Sequence, residues 1–123
     1  MAYELSWYVH DKVLLLTLSG DYTLQDARHA NQLIVEKLTQ SRSPLLLMID
    51  AGKMRRPYNF QELRSTQTYM DHTMLKRIVV VADDRLVMLA MMVIFNLGHA
   101  YLSMFNDLER ANTFLEREVA KIS

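Results

Sequence analysis

Three of the four residues from 53 to 56 are cations: Lys53, Arg55 and Arg56 within LLLMIDAGKMRRPYNF (45–60). The preceding residues, 45–50, read as a buried strand. The chain is expected to turn at Gly52 and set down its positive charge before the next helix begins. Open α/β sheets place ligands at the carboxyl ends of their parallel strands. A helix starting just beyond such a loop points free N–H groups toward an anion, and arginine forks match carboxylate or phosphate. Asp50, Gly52, Lys53, Arg55, Arg56 and Tyr58 are therefore the candidate ligand- or partner-binding residues. The alternative is a solvated loop whose charges only keep the surface soluble. The spacing is not that of a phosphate-binding Walker loop, which needs two glycines and a Lys-Ser/Thr pair.

Other chemistry-bearing residues form no constellation. Asp50, Asp83 and Asp84 fall at strand ends, where paired carboxylates could do acid–base work or hold Mg²⁺. Asp84, however, is placed to cap a helix, and Asp50 to hold Lys53 or a backbone turn, so structural roles are preferred. The histidines, at 10, 29, 72 and 99, include no H-x-x-x-H pair, which argues against zinc. There is no cysteine, hence no thiolate or disulfide. No serine sits in a nucleophile-elbow pattern. No catalytic residue, metal or cofactor is expected, and an enzyme is disfavoured.

The 123 residues suit one domain, 1–123, with a core that needs no staples. The formal net charge of zero argues against a dedicated nucleic-acid binder and favours self-association. MAYELSWYVHDK lacks the basic and apolar regions of a secretory signal. The most apolar run, LVMLAMMVIF (86–95), is too short to span a bilayer. A cytoplasmic protein without a transmembrane segment is the expectation.

These residues must be positioned by regular elements. Residues 3–9 and 13–19 read as two strands joined by His10-Asp11-Lys12, an antiparallel hairpin. Thr23, with Asp26 three residues on, caps a helix over 24–40, whose apolar stripe is Leu24, Ala27, Ala30, Ile34 and Leu38. Ser41-Arg42-Ser43-Pro44 ends it. Residues 45–50 and 77–82 are continuous apolar runs, suited to strands buried on both faces. Asn59 with Glu62 resembles a capping box for a helix over 60–71, with Phe60, Leu63 and Met70 inward. Asp84 caps a helix over 85–97, with Gly98 placed to stop it. Residues 101–105 are a short strand. Asp107 caps the last helix, with Leu108, Ala111, Leu115 and Val119 on one face. The order ββαβαβαβα implies an α/β fold: a mostly parallel five-stranded sheet with an antiparallel first strand.

Nine methionines is a high count for this length. On a helical wheel of 85–99, Leu86, Ala90, Val93, Ile94 and Leu97 form the expected inward face. Met88, Met92 and Phe95 fall on the far side, beside Arg85, Asn96 and His99. A surface helix with an apolar far side implies a cover, and methionine suits adaptable binding surfaces. Three readings stay open: a helix that is fully internal or overlain by a loop, a homodimer seam through Met88, Met92 and Phe95, or the wall of an apolar pocket that Tyr58, Tyr69 and Tyr101 could help line.

The joint LSGDYTLQDA (18–27), the strand LLLMIDAG (45–52) and the tail RIVVVADD…FNDLERANTFL (77–84 and 105–115) together resemble the STAS/SpoIIAA-like family. The likeness covers nearly the whole chain and is nearer to the uncharacterised SpoIIAA-like proteins, which are sometimes grouped with Sec14-type lipid-binding domains. It implies a SpoIIAA-like βα superhelix and a non-enzymatic, regulatory protein-interaction module; the apolar far side of 85–97 adds the expectation of a homodimer. The alternative it suggests is a binder of a small anionic or lipid-like ligand. Anti-sigma factor antagonists of this family carry a phosphorylatable serine in an Asp-Ser-Ser-Gly type turn after the third strand. Here the matching positions are Asp50-Ala51-Gly52-Lys53, with no hydroxyl, which puts a kinase-controlled switch in doubt.

Overall fold

A computed structural model describes residues 2–57, 59–95 and 100–122. Its strands are β1 (Tyr3–Val9), β2 (Val13–Gly20), β3 (Leu45–Met54), β4 (Leu75–Val81) and β5 (Tyr101–Phe105). Its helices are α1 (Leu24–Gln40), α2 (Phe60–Thr66), α3 (Arg85–Phe95) and α4 (Leu108–Ile122), with a 3-10 helix at Thr68–Asp71. The five strands lie in the order β1-β2-β3-β4-β5. β1 is antiparallel to β2 and the remaining pairs are parallel.

Alternation along the strands divides the core into two layers, because successive side chains leave a strand on opposite faces. Leu14, Leu16, Leu18, Leu45, Leu47, Ile49, Ile78 and Val80 pack under α1, α2 and α3. Val13, Leu46, Met48, Val79 and Val81 pack under Ala111 and Leu115 of α4. The continuous apolar runs of β3 and β4 are thus covered on both sides, as such runs require. The helices of the first face stand in a row: α1 contacts β1, α2 lies between α1 and α3, and α3 contacts β5.

The predicted caps at three helices are present. Thr23 and Asp26 form a reciprocal capping box: Asp26 N–H donates to Thr23 Oγ1 and Thr23 N–H to Asp26 Oδ2, each at 3.1 Å. Asp84 Oδ1 accepts from the amides of Leu86 (2.8 Å) and Val87 (3.1 Å), and Asp107 Oδ1 from that of Arg110 (2.7 Å). Gly98 and Leu97 lie outside the described residues.

Three expectations need correction. The helix expected over 60–71 stops at Thr66, and Asn59 makes no side-chain cap. Ser65 and Thr66 both turn their hydroxyls onto the Glu62 carbonyl, which competes with the helical ladder. The amide of Tyr69 is then taken by the Asn31 side chain of α1 at 2.9 Å, so a tertiary contact replaces the continuing helix. β3 does not turn at Gly52. It runs on to Met54, because β2 continues to Gly20 and pairs Ser19 with Lys53 and Gly20 with Met54 after an irregularity near Thr17. Leu108, expected on the buried face of α4, is exposed; Ala111 and Leu115 are buried.

Candidate functional site

The β3 segment is where charge meets the sheet end. Asp50 Oδ1 accepts the Gly52 amide at 3.0 Å, so its carboxylate is spent on the backbone of its own strand, a structural role, though not at a turn. A Cβ at Gly52 would come within 3.2 Å of the same oxygen, a close approach that favours glycine. Ala51 is buried and Gly52 exposed, and neither carries a hydroxyl. Lys53 is exposed on the strand. The Arg55 amide donates to the Gly20 carbonyl at 2.9 Å, and Gly20 has φ 56°, a left-handed geometry suited to glycine.

Arg55 and Arg56 come together with the β2–α1 loop at a groove of about 590 Å³, whose wall includes Asp21, Tyr22, Thr23, Pro57, Asn59 and Glu62. Arg55 Nη1 lies 3.2 Å from Asp21 Oδ2, both side chains being exposed, so the pair is worth less than about 1 kcal/mol. Two arginines face two carboxylates here, which leaves little net field. Neither Lys53 nor any residue of α3 lines this groove. The expected helix N-terminus does not help either: α2 is one short, seven-residue helix. Tyr58 lies outside the described residues.

The remaining polar candidates stay apart. Asp50 is level with Val81 across β3–β4, while Asp83 and Asp84 are exposed beyond the strand. His10 pairs with Asp11 at 3.3 Å and packs edge-on against Trp7. His72 accepts the Met74 amide through Nδ1. Among the described residues no group of three or more histidines and carboxylates could hold a metal.

On α3 the structure overturns the wheel. Phe95, expected on the outward seam, is only 2 % exposed, and Met88 is half-buried against the core. Leu86 and Val93, expected inward, are exposed. The buried face is Val87, Ala90, Met91, Ile94 and Phe95. At about 100° per residue this face is turned by roughly a quarter-revolution from the expected one. A helix that is apolar all round has no polar side to set its rotation, so packing against α2 and the sheet sets it, and the bulky Phe95 takes the inside. The outward face then carries Leu86 and Leu89, each 51 % exposed, and Met92 and Val93, each 45 % exposed. Met92 alone of the three expected seam residues is on that face.

One polar cluster was missed in the sequence. Arg77 of β4 reaches across to α4, with Nε 2.7 Å from Glu118 Oε1, while Lys121 Nζ lies 3.0 Å from Glu118 Oε2. Arg77 also donates to Ser103 Oγ and sits over the rings of Tyr101 and Phe114. The Lys121 hydrogen bond, with the charges of Arg77 and Lys121, holds the Glu118 carboxyl below the usual carboxylate range against the cost of its burial. The available signal was spacing: Glu118 follows Ala111 and Leu115 on the same helical face. Tyr22 and Tyr69 are pushed up by burial, Tyr69 with a hydroxyl that has no partner among the described residues.

With this geometry in hand, comparison with solved structures is decisive for architecture. An uncharacterized protein of the DUF3478 family from Shewanella loihica PV-4, described as having a SpoIIAA-like fold, superposes with a TM-score of 0.67 over 93 % of this chain and 92 % of that one, at 17 % identity. This chain has a SpoIIAA-like fold. At that identity the likeness concerns the fold. No family model matches the sequence, and no curated protein does. The SpoIIAA-like frame accounts for the antiparallel β1, the parallel β2–β5 and the helix row. No described helix is long and apolar enough to cross a membrane.

Proposed function

We propose that this SpoIIAA-like chain is a non-enzymatic, STAS-like interaction module of the cytoplasm, and that its docking surface is the outward face of α3. One observation carries the reading: Leu86, Leu89, Met92 and Val93 stand half-exposed and adjacent on one helix. Covering the exposed half of each contributes about 1 kcal/mol, and contiguous patches of this kind mark interaction sites. The occupant we assign is a second copy of the chain, consistent with a formal net charge of zero. Replacing Met92 with glutamate abolishes association measured by sedimentation; unchanged assembly would remove α3 from the interface. With no hydroxyl in Asp50-Ala51-Gly52-Lys53, a regulatory role would run through partner concentration rather than phosphorylation of that segment.

A second reading rests on the groove at Arg55 and Arg56. There a small anion would compete with Asp21 for the Arg55 guanidinium. Titration with inorganic phosphate tests it. Arg55→Glu combined with Arg56→Glu should weaken binding several-fold, because charge-assisted hydrogen bonds are lost. Equal binding by the double variant excludes these residues.

A further inference from the structure

Two polar side-chain atoms inside the molecule have no partner among the described residues: Gln67 Nε2 and the Tyr69 hydroxyl. Gln67 is 2 % exposed and Tyr69 1 %. A polar group buried without a hydrogen bond costs free energy that contact with water would restore, and folded proteins carry few of them. Both stand where α2 gives way to the 3-10 helix.

The same stretch bonds mostly to itself. The amides of Leu63, Gln67, Met70 and His72 go to carbonyls three or four positions back, and the Ser65 and Thr66 hydroxyls to Glu62. Neither α2 nor the 3-10 helix has a side-chain N-cap. Among the described residues Glu62, Arg64 and Asp71 form no ion pair. The polar fastening from outside comes from α1. Asn31 Oδ1 accepts the Tyr69 amide at 2.9 Å, and Asn31 Nδ2 donates to Thr68 Oγ1 at 3.0 Å. Thr39 Oγ1 lies 3.4 Å from His72 Nε2. Leu63, Tyr69 and Met70 add buried apolar contact.

We propose that residues 60–72 are a strap that leaves the core as one body while the sheet, α1 and α4 stay folded. In the closed form the burial of Leu63, Tyr69 and Met70 is opposed by two polar atoms that water would satisfy once the strap opens. Segments whose bonds are local open at a lower free energy than the whole molecule. Because the backbone bonds of the strap close within it, it departs without losing its own turns. β3 and β4 pair from Leu45 and Leu75 onward, so their ladder does not run through the strap. Opening uncovers the sides of α1, α3 and β4 that the strap touches, and frees one flank of the helix that carries Leu86, Leu89, Met92 and Val93.

The test is native-state amide exchange on the full chain at a series of low urea concentrations, comparing 60–72 with the strand amides of β3 and β4. The amides of Leu63, Gln67, Tyr69 and Met70 exchange about a hundredfold faster than the strands and share one urea dependence, as a single body requires. Asn31→Ala speeds exchange of 60–72 about tenfold and leaves the strands unchanged. Tyr69→Phe slows it about tenfold, because the closed form no longer holds that unpartnered group, and Gln67→Leu acts in the same direction. Both of these variants keep the apolar volume, and unmoved strand amides show that the fold is intact. Exchange of 60–72 at the strand rate in the wild-type chain overturns the strap, since the segment then opens only with the whole molecule. Separate urea dependences along 60–72 overturn the single body. Faster exchange in Tyr69→Phe overturns the proposal as well, because the hydroxyl would then be fastening the segment. So does an Asn31→Ala variant that speeds the strands equally.

Discussion

Glu118 is the residue whose environment most exceeds its local sequence. Its carboxylate lies almost out of solvent between Arg77 and Lys121, in a place where a neutral side chain would strand the partly buried Arg77. Removing one member of such a pair costs more than an exposed ion pair is worth and less than a fully buried one, so Glu118→Gln should lower unfolding free energy by about 2 kcal/mol. The sign of the pH dependence follows from the direction of the shift. A carboxyl held lower in the folded state than in the unfolded chain contributes stability that is fully present above the ordinary value of about 4.3. That stability is lost as pH falls through the lower folded-state value. Urea titrations of both proteins from neutral to strongly acid pH should therefore converge at the acid end. A constant gap would mean that Glu118 acts by packing alone. By contrast Asp50, singled out for chemistry, is held by its own backbone at Gly52. Its residue type was visible in the sequence; only the local backbone geometry showed where its lone pairs go.

At the scale of elements, the α1 start was fully legible, because a capping box is a local device spelled by two residues three apart. Thr23→Ala should cost about 1 kcal/mol in a chemical melt, and Thr23→Ser very little, since serine retains the accepting oxygen. Equal losses from both would point to the Thr23 methyl group instead. The α2 segment was not legible for the opposite reason. Its end depends on Asn31, distant in sequence, accepting the Tyr69 amide. β3 outran its expected end likewise, since the residues that keep 53 and 54 in the sheet are Ser19 and Gly20 of another strand. On α3 the periodic pattern was too uniform to orient the helix, and Phe95 and Val93 changed places between seam and core.

For the whole molecule, the SpoIIAA-like arrangement follows from strand order and from which faces are apolar, and both are written in the chain. The edges are not. Only the assembled sheet puts β1 and β5 at its two edges and places α3 next to β5. The same assembly weakens the first impression of an anion site. Arg55 and Arg56 do come together at a strand-end groove, but Asp21 and Glu62 come with them, and the local charges nearly balance.

The sequence by itself determined the element order, the strands buried on both faces, the helix caps at Thr23, Asp84 and Asp107, and the absence of cysteine chemistry. Each of these depends on residue type and on neighbours within a few positions. The tertiary structure decided the rotation of α3, the length of β3, and the partners of Arg77 and Arg55. Each of these depends on residues far apart in the chain, whose contacts exist only once the layers have closed.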